Sequence, residues 1–347
     1  MNKQQLKSLY QYLAIQLPAL GEVISLEPFS GGQSNPTYKL ISERGTYVLR
    51  KQPDGELLKA AHAVDREYRV LSALQQSAVP VPNVLHFCDD TSVIGTMFYV
   101  MTFADGRIFW DPSLPELTNS QRAAVYREMS RILAAIHDIK PNTVNLADFG
   151  KAGNYFSRQL SRWQRNYLMS VDQVDPNMQR LIDWLNNHIT PDDGLVSLIH
   201  GDFRLDNLIF SHDSLNAIAL LDWELSTLGH PYADLGYQCM QLRMARNGAL
   251  KGLDGIDRSA LGIPTEQEYI AQYCQHRGLS HIPNWTFYLC FSFFRFAAIL
   301  QGVYHRAIQG NAASEQAIAY GQLAPVLAQM AVTLLDKHAA EGVDHEQ

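Results

Sequence analysis

The 347-residue chain predicts an α+β fold, with a small sheet-rich N-terminal lobe (residues 1–104) and a larger, mainly helical lobe (residues 105–347). Three observations predict it. From Val23 to Ala104 the apolar residues fall in short β-branched and aromatic runs broken by Gly and Pro, while beyond Gly106 they recur at helical spacing. Hydrophobic residues at 46% against 18% charged describe a chain with a sizeable core.

The elements follow in order. Met1–Leu20 mixes apolar residues with Gln, Lys and Ser, which predicts an amphipathic helix ending near Pro18 and lacks a signal-peptide core. Thr46–Arg50 reads as a strand. Ala63–Gln75, with Val64, Tyr68, Leu71 and Leu74 on one face, reads as a helix. Val93–Phe103 returns to strand character, interrupted at Gly95, and its section Met97–Met101 is apolar as a buried strand would be. Thr118-Asn119-Ser120-Gln121 can form a capping box opening a helix to about His137. Trp163, Leu181 and Trp184 belong to further helices, and Thr265 is an N-cap for another. Val196–Ile199 and Leu208–Phe210 read as short strands, and Ala217–Leu221 as a hairpin partner of the second. Phe287–Leu300, the most apolar stretch, contains Ser292 and Arg295 and is short for a bilayer, so a buried helix and no membrane are expected.

A formal net charge of −7 weighs against a nucleic-acid partner. Cys88, Cys239, Cys274 and Cys290 form no C-x-x-C pair, so reduced thiols in a cytoplasmic protein are the expectation.

The chemistry concentrates in His200-Gly201-Asp202-Phe203-Arg204-Leu205-Asp206-Asn207, which reads H-x-D-x-x-x-x-N, and in Leu221-Asp222-Trp223-Glu224. Phosphoryl transfer from a nucleotide needs a carboxylate to accept a hydroxyl proton and sparse hard-oxygen ligands for magnesium. Asp202 suits the first role, and Asn207 with Asp222 the second; alternatively, Asp202 and Asn207 simply tie a turn. Arg204 is placed either to meet the transferred phosphoryl group or to make an ion pair. His200 reads as architectural, and Glu224 as a turn cap in preference to a metal ligand. In the sheet lobe, Tyr47-Val48-Leu49-Arg50 matches the V-A-I-K strand pattern with arginine at the lysine position. A register slip would present Lys51 instead, because side chains alternate along a strand. Glu67 on the following helix is the partner for that cation. Gly31, Gly32 and Ser34 can offer backbone N–H groups to phosphates. Met101 and Phe103 sit where the lobes join, beside a nucleotide base or as plain core.

These residues, with Gly229-His230-Pro231-Tyr232-Ala233-Asp234-Leu235-Gly236, resemble the aminoglycoside phosphotransferase-like kinases. Tyr47–Pro53, Ala61–Tyr68 and Gly153-Asn154-Tyr155-Phe156 are similar to the branch that includes the kinase-like domain fused to some acyl-CoA dehydrogenases. The resemblance runs from about Phe29 to the C-terminal helices. It implies a protein-kinase-like two-lobed fold, ATP or GTP with Mg2+, and phosphorylation of a small-molecule hydroxyl. In the dehydrogenase-linked branch, the implied acceptors are hydroxyacyl-CoA compounds. The base, metal ligands and phosphate-binding cation carry over to Asp202, Asn207, Asp222 and Arg50, with Glu67 as ion-pair partner.

Trp223-Glu224 departs from the Phe-Gly of protein kinases, and no activation loop of useful length separates Asp222 from Asp234, which favours a small-molecule acceptor. Residues between Asp148 and Arg165 and the C-terminal helices are candidates for the acceptor wall, and Arg295 and Arg306 for meeting an acidic acceptor. Two rival readings stand beside this one. An inactive, nucleotide-binding sensor is suggested by arginine at the lysine position, and an antibiotic kinase would carry an acidic acceptor pocket.

Overall fold

The computed structural model describes residues 1–29, 35–55, 63–246, 250–309 and 315–340. Gly31, Gly32 and Ser34 therefore lie outside the described residues. Two compact units emerge. One comprises Met1–Phe109, Ile139–Asp148 and Arg204–Ser226; the other comprises Trp110–Asp138, Phe149–Phe203 and Thr227–Gln347.

In the first unit, a five-stranded antiparallel sheet has the order β1-β2-β3-β5-β4, from Val23–Pro28 (β1), Thr37–Ser42 (β2), Gly45–Lys51 (β3), Val84–Cys88 (β4) and Phe98–Thr102 (β5). Helix α1 (Lys3–Gln16) starts at Asn2 with a capping box to Gln5 and stops before Pro18. Its Leu9 and Leu13 share a core with Leu40, Leu49, Phe98 and Val100. Helix α2 (Val64–Leu74) is amphipathic, with Val64, Glu67, Val70, Leu71 and Leu74 buried. Strand β5 is shorter than the sequence predicts: Val93–Gly95 lie in a turn, where Gly95 takes φ 89°.

The boundary at 104/105 is not where the compact units divide. Arg107–Ile108 (β6), Leu208–Phe210 (β8) and Ala217–Leu220 (β9) form a three-stranded sheet in the first unit. The Leu220 N–H also donates to the Pro80 carbonyl at 2.8 Å. At Gly106 a Cβ would stand 2.4 Å from the Phe210 carbonyl oxygen, so the chain passes there only as glycine. Arg69 of α2 donates to the Asn145 carbonyl at 2.7 Å and pairs with Asp148, which ties 139–148 to the same unit.

The second unit is mainly helical: α3 (Asn119–Asp138), α4 (Tyr155–Leu168), α5 (Pro176–Asn187), α6 (Tyr232–Leu242), α7 (Glu266–Arg277), α8 (Trp285–Ile308) and α9 (Glu315–Ala340). Thr118 exchanges the expected hydrogen bonds with Gln121, and Thr265 forms a capping box with Glu268. Its one two-stranded ladder among the described residues pairs Ser197–Ile199 (β7) with Thr227–Gly229 (β10), a partner the sequence does not announce. Helix α8 is 24 residues long, so it and residues 318–340 are long and apolar enough to cross a membrane by length and composition alone. Within the unit, 67% of the most apolar window of α8 is buried.

Candidate active site

Strand alternation decides which basic residue of β3 faces the polar centre of the first unit. Val48 lies opposite Met101 and Arg50 opposite Tyr99. These four side chains line a cavity of about 300 Å³ with Glu67, Phe103 and Asp222. Leu49, Phe98 and Val100 turn to the α1 side. Lys51, two residues from Leu49, follows that second face; its side chain is 1% exposed and its Nζ pairs with Asp54 at 2.7 Å. Arg50, not Lys51, is therefore the cation of the cavity. Met101 and Phe103 line it as well, with Phe103 stacked on Phe29.

Arg50 stands among three carboxylates. Its Nε donates to Glu67 at 2.7 Å, and its Nη2 lies 3.1 Å from Asp222 and 3.7 Å from Glu224. Glu67 is 2% exposed. Burial pushes its carboxyl above the ordinary value, Arg50 opposes this, and Asp222 and Glu224 add to the rise. Burial opposes the Arg50 charge, but Glu67 and its other neighbours hold its pKa above the usual arginine value. Three carboxylates about one guanidinium leave an excess of negative charge and hard oxygen donors. Glu224 accepts from the Asn35 side chain at 3.4 Å and faces Arg50.

The β8–β9 hairpin brings the amide and the carboxylate of the sequence motifs to one end. Leu208 pairs with Leu220, and the Leu221 N–H donates to the Asn207 carbonyl at 2.9 Å, so Asp222 follows immediately. Asp222 adopts φ 65°, ψ 58°, a left-handed conformation that aspartate tolerates better than most residues. Among the described residues no cluster of three or more His, Cys, Asp or Glu side chains forms a metal cage. Magnesium does not require one, since it usually takes one or two protein oxygens and completes its shell with phosphates and water. The donor set of Asn207 and Asp222 fits that chemistry. Arg204 makes the ion pair: its Nε donates to Asp206 at 2.9 Å and its Nη2 contacts the second oxygen.

The other half of the H-x-D-x-x-x-x-N motif is built in the helical unit. Asp234, 1% exposed on α6, accepts from the His200 N–H at 2.6 Å and the Gly201 N–H at 2.9 Å. Gly201 takes φ 85°, which glycine adopts without strain. Burial would raise the Asp234 carboxyl, yet the hydrogen bond from His137 and the amide of Gly201 bring it below its ordinary value. Burial pushes His137 down, so the neutral ring donates toward Asp234 at 3.5 Å and accepts from the Tyr273 hydroxyl at 2.7 Å. His200 is fully buried and its Nδ1 accepts from the Asp202 N–H at 3.2 Å, the architectural place expected of it. Asp202 itself accepts from the Tyr237 hydroxyl at 2.6 Å.

Sequence reasoning missed Tyr99 and Tyr237. Tyr99 belongs to the apolar run Met97–Met101, and Tyr237 lies just beyond the Gly229–Gly236 motif. Burial, and then the neighbouring Glu67 charge, drive the Tyr99 hydroxyl well above its ordinary pKa. Tyr237 lies three residues after Asp234, so helical spacing next to the quoted motif was the available signal.

A sheet-based unit and a helical unit with these motifs define a phosphotransferase of protein-kinase-like fold. The chain belongs to the phosphotransferase enzyme family, whose model matches residues 25–277. It is similar to acyl-CoA dehydrogenase family member 10 of Mus musculus, 46% identical over 309 residues covering 89% of this chain and 29% of that protein. It is 40% identical to the human acyl-CoA dehydrogenase family member 11 over 333 residues, 94% of this chain and 43% of that one. The chain thus spans less than half the length of these relatives, and they bear out the resemblance to the dehydrogenase-linked branch.

Among solved structures, a Ralstonia eutropha JMP134 protein provisionally described as an aminoglycoside phosphotransferase is 43% identical, with TM-score 0.88. The match covers 96% of this chain and 98% of that one. The aminoglycoside phosphotransferase APH(4)-Ia, in ternary complex with AMP-PNP and hygromycin B, shares the fold at 15% identity and TM-score 0.62, over 94% of this chain and 98% of that one.

Proposed function

We propose that this chain is a magnesium-dependent kinase that moves the γ-phosphoryl group of ATP to a hydroxyl of a small molecule, with hydroxyacyl-CoA compounds as the acceptor class. The observation that carries the reading is the Arg50–Glu67 pair at 2.7 Å with Asp222 at 3.1 Å from the same guanidinium. It reproduces with arginine the lysine–glutamate pair that positions a triphosphate. Arg50 making that pair weighs against an inactive sensor. The acceptor class rests on the 40–46% identity to the acyl-CoA dehydrogenase family members.

In this reading Asp202 orients the acceptor hydroxyl and takes its proton as the oxygen attacks phosphorus in line. General-base assistance of this kind contributes roughly 10²–10⁴-fold. Tyr237 fixes the Asp202 carboxylate from one side, and Asp234 fixes the main chain that carries it. Arg50, held by Glu67, binds phosphate oxygens. Asn207 and Asp222 would hold magnesium, which neutralises charge on the phosphates when bound.

The test is magnesium-dependent ATP consumption over hydroxyacyl-CoA compounds, aminoglycosides and amino alcohols, with Asp202→Asn as control. Stimulation by hydroxyacyl-CoA, reduced about 10²-fold or more in the variant while nucleotide affinity holds, is expected. Preference for an aminoglycoside would replace the acceptor class, and equal activity in Asp202→Asn would remove Asp202 from the reaction.

A further inference from the structure

In the helical unit, Arg295 differs from those arginines that have a carboxylate or main-chain partner. Arg243 pairs with Glu266 at 2.6 Å and Arg277 with Asp138 at 3.0 Å, while Arg122 and Arg158 donate to main-chain carbonyls. Among the described residues, no carboxylate lies within ion-pair distance of Arg295, and its Nε, shielded from solvent, has no hydrogen-bond partner. The side chain as a whole is only partly buried, so a ligand can reach it. A guanidinium half out of water with an unused donor costs free energy unless something binds it.

Its neighbours on α8 pack toward the start of α4 and toward the tyrosine that holds the proposed base. One helical turn earlier on α8, Phe291 packs against Phe156 of α4, ring centroids 4.9 Å apart, and Phe156 adjoins Tyr155. One residue later, Phe296 packs against Tyr237 at 5.9 Å, and Tyr237 donates to Asp202 at 2.6 Å. Arg295 is also the first of the charges acting on the Tyr155 hydroxyl, ahead of Arg158 and Arg162, and Asp234 is the opposing acid. Arg295 thus belongs to the segment of α8 whose aromatic residues pack against Phe156 at the start of α4 and against Tyr237, which holds Asp202.

We propose that Arg295 is the specificity-determining cation of this kinase, receiving a carboxylate or phosphate of the acceptor whose hydroxyl is presented to Asp202. This rests on the kinase reading above, and it adds which side chain receives the acceptor's anionic group. An arginine fork suits either group, because both present paired oxygens. The same cation repels a polycationic acceptor, so aminoglycosides are disfavoured.

The experiment compares wild type, Arg295→Gln and Arg295→Lys, each with AMP-PNP and magnesium present so that the nucleotide position is filled. Thermal shift is read with a hydroxyacyl-CoA, the matching free hydroxy acid and kanamycin. Wild type is expected to be stabilised by one or both anions, more at low salt, and not by kanamycin. Response to the free acid assigns the carboxylate, and response to the CoA compound alone assigns the phosphates. Arg295→Gln should lose about tenfold or more in affinity, the usual weight of a charge-assisted hydrogen bond, and Arg295→Lys should recover part. In turnover the loss should appear in KM with kcat changed far less. Equal anion binding by wild type and Arg295→Gln, or no anion binding by wild type, overturns the proposal. Arg295-dependent binding without ATP consumption would instead sink the kinase reading and leave the anion site standing.

Discussion

Replacing Asp234 by alanine takes one acceptor away from two main-chain donors at once. The His200 and Gly201 N–H groups, bonded at 2.6 and 2.9 Å, would be left in a site where the carboxylate is 1% exposed. A hydrogen bond to a charged group is worth about 1.5–3 kcal/mol, so the two together come to roughly 3–6 kcal/mol. The His137 contact at 3.5 Å lies at the edge of hydrogen bonding and adds little. Against a typical total of about 5–15 kcal/mol the loss is severe. Asparagine retains one acceptor oxygen and should cost about half as much. Urea unfolding monitored on the helical unit measures the loss, and amide exchange at His200 and Gly201 shows whether it is local. Because Asp202 follows Gly201 directly, acceptor turnover should fall further than nucleotide affinity in both variants. Stability of Asp234→Ala within about 1 kcal/mol of wild type, with both amides still protected, would refute the reasoning.

Other predictions follow from the same geometry. Arg50→Ala should weaken ATP binding by about tenfold or more, while Lys51→Ala, whose partner is Asp54, should leave it nearly unchanged; calorimetric titration of both variants decides between them. Glu67→Gln should give an intermediate loss that leaves Arg50 charged but less well held. Burial lowers the pKa of His137 and His230 below the ordinary 6.5, so both resist protonation in the folded chain more than in the unfolded one. The unfolded chain then takes up protons that the folded one refuses, and stability is full above about pH 6.5 and falls below it. The slope is up to about 1.4 kcal/mol per pH unit for each histidine. Melting temperatures from pH 7.5 to 5.5 test this, and a flat or rising profile on acidification counts against it.

Much of this fold was legible because local rules and tertiary demands agree. The capping box at Thr118 and the N-cap at Thr265 mark helix starts, since the first-turn donors need those side chains. The strand at Gly45–Lys51, the helix at Val64–Leu74 and the hairpin at Leu208–Leu220 follow from periodicity. Where the reading went astray, a non-local partner was responsible. The Val93–Gly95 turn breaks a run that composition alone extends into β5. The first compact unit extends past residue 104 because β6 pairs with residues about a hundred positions later.

By itself the sequence determined the chemical inventory: a carboxylate, an amide and a second carboxylate at kinase spacing, a basic strand end and a glutamate on the next helix. Spacing along one chain fixes such short-range relations because the chain links them directly. Only the tertiary structure decided which of Arg50 and Lys51 is used, since sheet register and the facing core select one side of β3. It alone turned Glu224 toward Arg50, made Asp234 the anchor of the His200–Gly201 main chain, set Tyr237 on Asp202, and left Arg295 without a carboxylate partner among the described residues. Each of those depends on residues far apart in sequence, whose meeting is set by packing and burial that no local pattern encodes.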